Sequence, residues 1–292
     1  MWKITSFKNE VKETNNLENE SIQVLECLDK SIKQIPEIQG IEAIDCRDCI
    51  NLISLPTIQS LKIVICKNCP KLKTIPVLKE LEDLDCSNCE SLESLPEDLP
   101  LLIDLNCSKT KIKFLPKYKK LTFLNCSKCF YLNKIPKNNV LNKLNCSFCP
   151  IKKIPGIPSL RKLDIRGCAV TKLPKEIFFL EKLNCSKSGI KSLNGLSILE
   201  TVCVDCKNLK VVTEIKGVRK LHCENCPELE RISFIEGYLV YIKEEGENEL
   251  NIFDCPKLNG VRYCKNLKFE YDNCPEIKQI SIEDCKLEVV YC

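Results

Sequence analysis

The 292-residue chain is 44 % hydrophobic, 29 % charged and 6 % aromatic, which supplies a core and excludes a disordered tail. Lys+Arg 44 against Asp+Glu 40 leaves a net charge of +4, too little at this length to argue for nucleic acid on charge alone. No run approaches the ~18 uninterrupted apolar residues of a membrane span, and residues 1–10 (MWKITSFKNE) lack the basic-then-apolar layout of a secretory signal. A reducing cytoplasm is therefore the expected compartment, and the 23 cysteines are expected to stay unpaired.

In chain order, residues 1–21 are polar (Asn15, Asn16, Glu18, Asn19, Glu20) and read as a cap or flexible arm. Residues 22–235 then repeat with a period of about 20. The phrases LEDLDCSNCESLESLP, LIDLNCSKTKIKFLP, LTFLNCSKCFYLNKIP and LNKLNCSFCPIKKIP show the unit: Leu-x-x-Leu-x-Cys-x-x-Cys, an apolar residue, then Ile/Leu-Pro. Its leading position holds Cys27, Cys46, Cys66, Cys86, Cys107, Cys126, Cys146, Ile165, Cys185, Cys203 and Cys223. On a strand alternate side chains face opposite ways, so Leu84 and Cys86 are expected inside, with Asp83, Asp85 and Ser87 outside. After Thr110 and Ser188 the next apolar residue follows after one residue, whereas after Cys49, Cys69, Cys89, Cys206 and Cys226 it usually follows after two; Cys149 and Cys168 keep the shorter gap, so this is a tendency.

The prolines of the unit (Pro36, Pro56, Pro76, Pro96, Pro116, Pro136, Pro155, Pro174) fix φ and remove an N–H, so the outer arc should be extended or 3₁₀. The exception is residues 175–180 (KEIFFL), which could make a helical turn. At LETVCVDC either Cys203 or Val204 can face inward. Residues 236–249 read as an acidic insertion, with 238–242 able to form a strand. Residues 250–292 read as degenerate repeats and a cap, with Cys255, Cys264, Cys274 and Cys285 at roughly half the period.

The unit resembles the leucine-rich repeat, L-x-x-L-x-L-x-x-N/C-x-L, with Cys at the third leucine and at the ladder position. That resemblance implies a curved right-handed superhelix of roughly 12 or 13 turns, one parallel β-sheet on its concave face and little α-helix. The short turns and their Leu/Ile-Pro phrases are similar to the bacterial-effector group of this family, some of whose members append a ubiquitin-ligase domain. Repeats reaching nearly to Cys292 leave no room for one, and 21 leading residues are too few for an F-box. The abundance of Lys, Asn and Ile suggests an AT-rich genome, such as that of a giant DNA virus or an intracellular bacterium; the host-cell cytoplasm would then be the site of action.

Seven Cys-x-x-Cys pairs would ordinarily signal zinc. Thr110, Ser188 and Ile165 interrupt those pairs without disturbing the period, so the thiols read as core and no metal or cofactor is expected. His222 precedes Cys223 directly, which sends the two side chains to opposite faces of a strand, and no Gly-rich phosphate loop, H-E-x-x-H or G-x-S-x-G occurs. The expectation is a non-enzymatic, monomeric scaffold that binds another protein. Its groove would be acidic early (Asp83, Asp85, Asp104) and basic later (Lys109, Lys128, Lys143, Lys162, Arg166, Lys187), with Asn125 between and Phe123 and Phe148 as anchors. Membrane and nucleic-acid partners are not expected. The alternatives are a zinc-binding repeat protein and the substrate-recognition part of a ubiquitin-ligase assembly.

Overall fold

The computed structural model describes residues 2–8, 21–215, 218–234, 248–264 and 267–283. Among these residues there are only strands, turns and extended segments. The chain forms two compact units, residues 1–141 and 142–292.

In the first unit β1 (Trp2–Lys8) pairs antiparallel with β2 (Ser21–Cys27). One short strand per turn then follows: β3 (Ala43–Asp45), β4 (Ile63–Ile65), β5 (Asp83–Asp85), β6 (Asp104–Asn106) and β7 (Phe123–Asn125). Each is parallel to the one before it and in register. β1 covers the outer edge of β2, whose free N–H and C=O groups would otherwise invite pairing with another chain.

The second unit opens with β8 (Lys143–Asn145), β9 (Lys162–Asp164) and β10 (Phe179–Asn184). Its sheet continues through β12 (Ser197–Val204), β14 (Lys220–Glu224), β16 (Asn248–Phe253) and β18 (Leu267–Asp272), all parallel. A second parallel sheet runs through β11 (Ser192–Asn194), β13 (Val211–Ile215), β15 (Arg231–Phe234), β17 (Gly260–Cys264) and β19 (Gln279–Glu283).

Proline placement accounts for that second sheet. Up to Leu173-Pro174 each outer segment carries Ile/Leu-Pro, and the missing N–H blocks a continuous ladder. There the described pairing is a single bridge, Ser54 to Thr74. The equivalent dipeptides afterwards are Leu193-Asn194, Val212-Thr213 and Ile232-Ser233, and each lies in a strand. Restoring the amide turns an extended arc into a sheet.

The core lies between these two arcs. Leu81, Leu84, Cys86, Cys89 and Leu92 of one turn are all fully buried, and the same positions are buried in the turns around it. Burying a leucine of this kind contributes about 1.5–3 kcal/mol. Ser87, expected outside with Asp83 and Asp85, is also buried, because the chain leaves the strand at Cys86 and folds Ser87 into the turn.

Residues 175–180 do not make a helical turn: Lys175 and Glu176 form a tight turn, and Phe179 and Leu180 belong to β10, opposite Ser197 and Ile198 of β12. Cys203 is the inward residue of its pair, in register with Cys223 and fully buried. The half-period of the late cysteines has a simple cause. Cys255 and Cys274 follow strands of the first sheet, while Cys264 ends β17 in the second. The strand expected at 238–242 and most of the acidic insertion lie outside the described residues, as does Cys285; Glu249 is in β16.

Candidate functional site

Three devices at the end of each strand position the exposed side chains. First, an Asp or Asn one residue before the leading position accepts the backbone N–H two residues on. Asp85 Oδ1 takes Ser87 N–H at 2.9 Å, and Asn106, Asn125, Asn145, Asp164 and Asn184 repeat the bond. These are Asx turns, so Asp85 and Asn125, expected to contact a partner, are engaged in closing the repeat. The recurring Asp/Asn-Cys-Ser of the sequence is the signal that reveals them.

Second, the next-but-one residue adopts positive φ: Asp48, Asn68, Asn88, Lys109, Lys128, Phe148, Gly167, Lys187, Asp205 and Asn225. Left-handed backbone costs most residues roughly 1–2 kcal/mol, and Asn, Asp and Gly tolerate it best. Early and late turns obey that preference and link the side chains. Asn68 Nδ2 donates to Asp48 at 2.7 Å and Asn88 Nδ2 to Asn68 at 3.0 Å; Asn225 likewise reaches Asp205. Lys109, Lys128, Phe148 and Lys187 depart from it. They sit on turns beyond the strands, and sequence reasoning placed them on the strand face.

Third, the ladder thiol donates to the carbonyl of the leading residue one turn back. Cys69 reaches Cys46 O at 3.2 Å, Cys89 reaches Cys66 O at 3.1 Å, and Cys129 reaches Cys107 O at 3.1 Å. In the second unit Cys168, Cys206 and Cys226 do the same. A buried carbonyl needs such a partner, and a thiol is small enough to provide it within the core. Strand, ladder and outer arc recur every turn. Each unit is a leucine-rich-repeat solenoid.

No protein-family model and no curated protein matches the sequence. Among solved structures the chain is similar to YopM from Yersinia enterocolitica WA-314, at 21 % identity and a TM-score of 0.46 over 89 % of this chain. The chain spans 64 % of YopM's length in that comparison. It is also similar to a leucine-rich repeat protein from Bacteroides ovatus ATCC 8483, at 14 % identity and a TM-score of 0.47, over 95 % of this chain and 89 % of that one.

On the open sheet face the register aligns columns of side chains. In the first unit Ile63, Asp83, Asp104 and Phe123 follow one another, so Asp83 and Asp104 are direct neighbours. In the second unit the column reads Lys143, Lys162, Lys182, Glu200, Lys220, Glu249. Lys182 pairs with Glu200 at 2.9 Å and Lys162 approaches Glu181 at 4.0 Å. Arg166 is clamped by Asp164 at 2.7 Å, which holds the guanidinium above its ordinary pKa, and Lys187 lies 3.6 Å from Asp205.

One cluster of thiols has the spacing of a metal site. Cys185, Cys203 and Cys206 are buried with their sulfurs within 4.8 Å of one another, and Cys185 and Cys203 approach to 3.3 Å. A soft ion would require thiolates there. Hydrogen bonds with neighbouring thiols, Cys185 first, and burial push the Cys203 thiol well above its ordinary value, while the same bond to Cys203 lowers Cys185; Cys206 donates to Cys185 O as Cys69, Cys89, Cys129, Cys168 and Cys226 do to their leading carbonyls. His222 is half-buried beside Glu224 at 3.0 Å and packs on Phe253, with Cys223 on the opposite, buried face.

Two recesses open where the turn is one residue short. Between Thr110 and Ile112 stands only Lys111, and between Ser188 and Ile190 only Gly189. The short gaps after Thr110 and Ser188 thus coincide with these two recesses, and the equally short gap after Cys168 borders the second.

Proposed function

We propose that the protein is a non-enzymatic scaffold that binds a protein partner through the open face of its sheet. The observation that supports this is the stacking of like charges, Asp83 on Asp104 in the first unit and Lys143 on Lys162 in the second. Like charges directly opposite on neighbouring strands are destabilising, by an amount on the order of 0.2–1 kcal/mol. A face evolved only for solubility would alternate signs, as the later column does from Lys182 to Glu249. A partner carrying the opposite charges relieves the repulsion on binding. The setting we propose is a reducing cytoplasm, in which the buried core cysteines would remain thiols. No helix among the described residues is long and apolar enough to cross a membrane.

The test is to identify partners by affinity capture and then measure them against Lys143→Glu/Lys162→Glu and Asp83→Lys/Asp104→Lys, with melts confirming that each variant is folded. A partner whose affinity falls with either pair supports the reading; unchanged binding of every partner to both variants would sink it. The cluster Cys185, Cys203 and Cys206 favours a second reading, a thiol metal site. Metal analysis of protein purified without chelator, returning less than one ion per chain, removes it.

A further inference from the structure

The short turn at Thr110 forms a recess of about 370 Å³, at the lower end of the size range of ligand sites. Its neighbours hold two residues before the next core leucine, Glu90-Ser91 on one side and Phe130-Tyr131 on the other, so the missing residue leaves a gap between them. Thr110 forms the floor: it is buried, and its hydroxyl donates to Cys107 O at 2.7 Å. Phe130 and Tyr131 form one wall, with 67 % and 56 % of their surface exposed. Lys109, Lys111 and Lys128 stand around the opening, opposed by one carboxylate, Glu90.

Two details separate this recess from an ordinary solvated edge. Lys109 and Lys128 occupy positive-φ positions (57° and 58°) where Asn68 and Asn88 supply an amide ladder one and two turns earlier. Replacing Asn by Lys there gives up both the backbone preference and the ladder bond, and brings two ammonium groups onto consecutive turns. In the recess at Ser188, Lys187 lies 3.6 Å from Asp205, which also receives Asn225 at 2.5 Å.

We infer that the Thr110 recess, on the scaffold reading above, binds an acidic segment of a protein, with carboxylates against Lys109, Lys111 and Lys128 and an apolar side chain against Phe130 and Tyr131. The charge excess selects the acidic chain. The exposed aromatic wall selects a segment that also carries apolar groups, because ring burial is what gives such an anchor its energy.

The test uses the full chain and a fluorescein-labelled peptide alternating aspartate with leucine, followed by anisotropy at low and physiological salt. Saturable binding is expected, weakened at least about tenfold by Lys109→Glu/Lys111→Glu/Lys128→Glu and about tenfold by Phe130→Ala/Tyr131→Ala. The charge-matched control Lys152→Glu/Lys153→Glu/Lys172→Glu should bind like wild type. Equal loss in the control would overturn the proposal, as would unsaturable binding or tighter binding of a single-stranded oligothymidylate lost with the same residues. None of these variants touches Lys143, Lys162, Asp83 or Asp104, so the open-face reading and this one fail separately.

Discussion

The ring of Phe148 lies against Gly167, where an added Cβ would stand 2.6 Å from Phe148 Cδ1 and 2.9 Å from Cε1. Gly167 also has φ +67°, a region that penalises any side chain. Gly167→Ala is therefore expected to cost about 2–4 kcal/mol, of which about 1–2 is backbone and the rest collision. In the Phe148→Ala background only the backbone part should remain. Urea denaturation of the four proteins gives the coupling; additive effects would mean that ring and glycine do not touch.

The thiol ladder predicts a graded series at Cys89, whose sulfur satisfies Cys66 O. Cys89→Ala leaves that carbonyl buried and unpaired and should cost about 1–3 kcal/mol beyond the lost packing. Cys89→Thr should retain more stability, because it keeps a buried donor within the turn, where the equivalent Thr110 hydroxyl bonds the leading carbonyl of its own turn, Cys107 O, and not that of the turn before. Thermal melts in reducing buffer compare the two; Ala outperforming Thr would show that the position needs only an apolar volume.

Much of this was legible in the sequence because a repeat states its own rule many times. The inward Leu84 and Cys86, the ladder cysteines and the extended outer arc all follow from period-two alternation and the Ile/Leu-Pro dipeptides. The second sheet was not foreseen, since a single sheet was expected; its signal is the change from Leu173-Pro174 to Leu193-Asn194, where proline's missing donor is restored. The site was less legible. Strand alternation ends at the leading cysteine, so it cannot say where Lys109, Lys128 and Phe148 point; a positive-φ turn places them instead. Nor does charge alone reveal that Asp85 and Arg166 are committed to their own turns.

Leu144 and Lys143 test the two faces of β8. Leu144 is buried and Lys143 exposed on the adjacent position. Leu144→Ala should lower stability by about 2–5 kcal/mol, whereas Lys143→Ala should change it by less than about 0.5 kcal/mol. Similar midpoints in urea for the two variants would invert the assignment of faces.

The second sheet predicts a proline effect at the entry to one of its strands. Lys210, just before β13, donates its N–H to Lys191 O at 2.9 Å while its side chain is exposed. Lys210→Pro removes that bond at the entry to a strand with neighbours on both sides, and should cost about 3 kcal/mol. Lys210→Ala keeps the bond and should be near neutral. Hydrogen exchange would localise the loss: faster exchange over 211–215 and 231–234 is expected, and unchanged exchange there would mean the second sheet is not held by this ladder.

Lys109 and Lys128 set stability against binding at one position. Lys109→Asn puts the favoured residue into positive φ and restores a donor next to Asn88, whose own amide already reaches Asn68. A gain of roughly 0.5–1 kcal/mol is expected, and Lys128→Asn should gain from the backbone preference as well. If the recess binds acidic segments, the same substitutions weaken the aspartate–leucine peptide, so a more stable protein is a poorer binder. A thermal melt and an anisotropy titration on the double variant decide the matter. Higher stability with unchanged affinity would show that these lysines have no part in binding, and lower stability would show that the amide ladder does not extend into these turns.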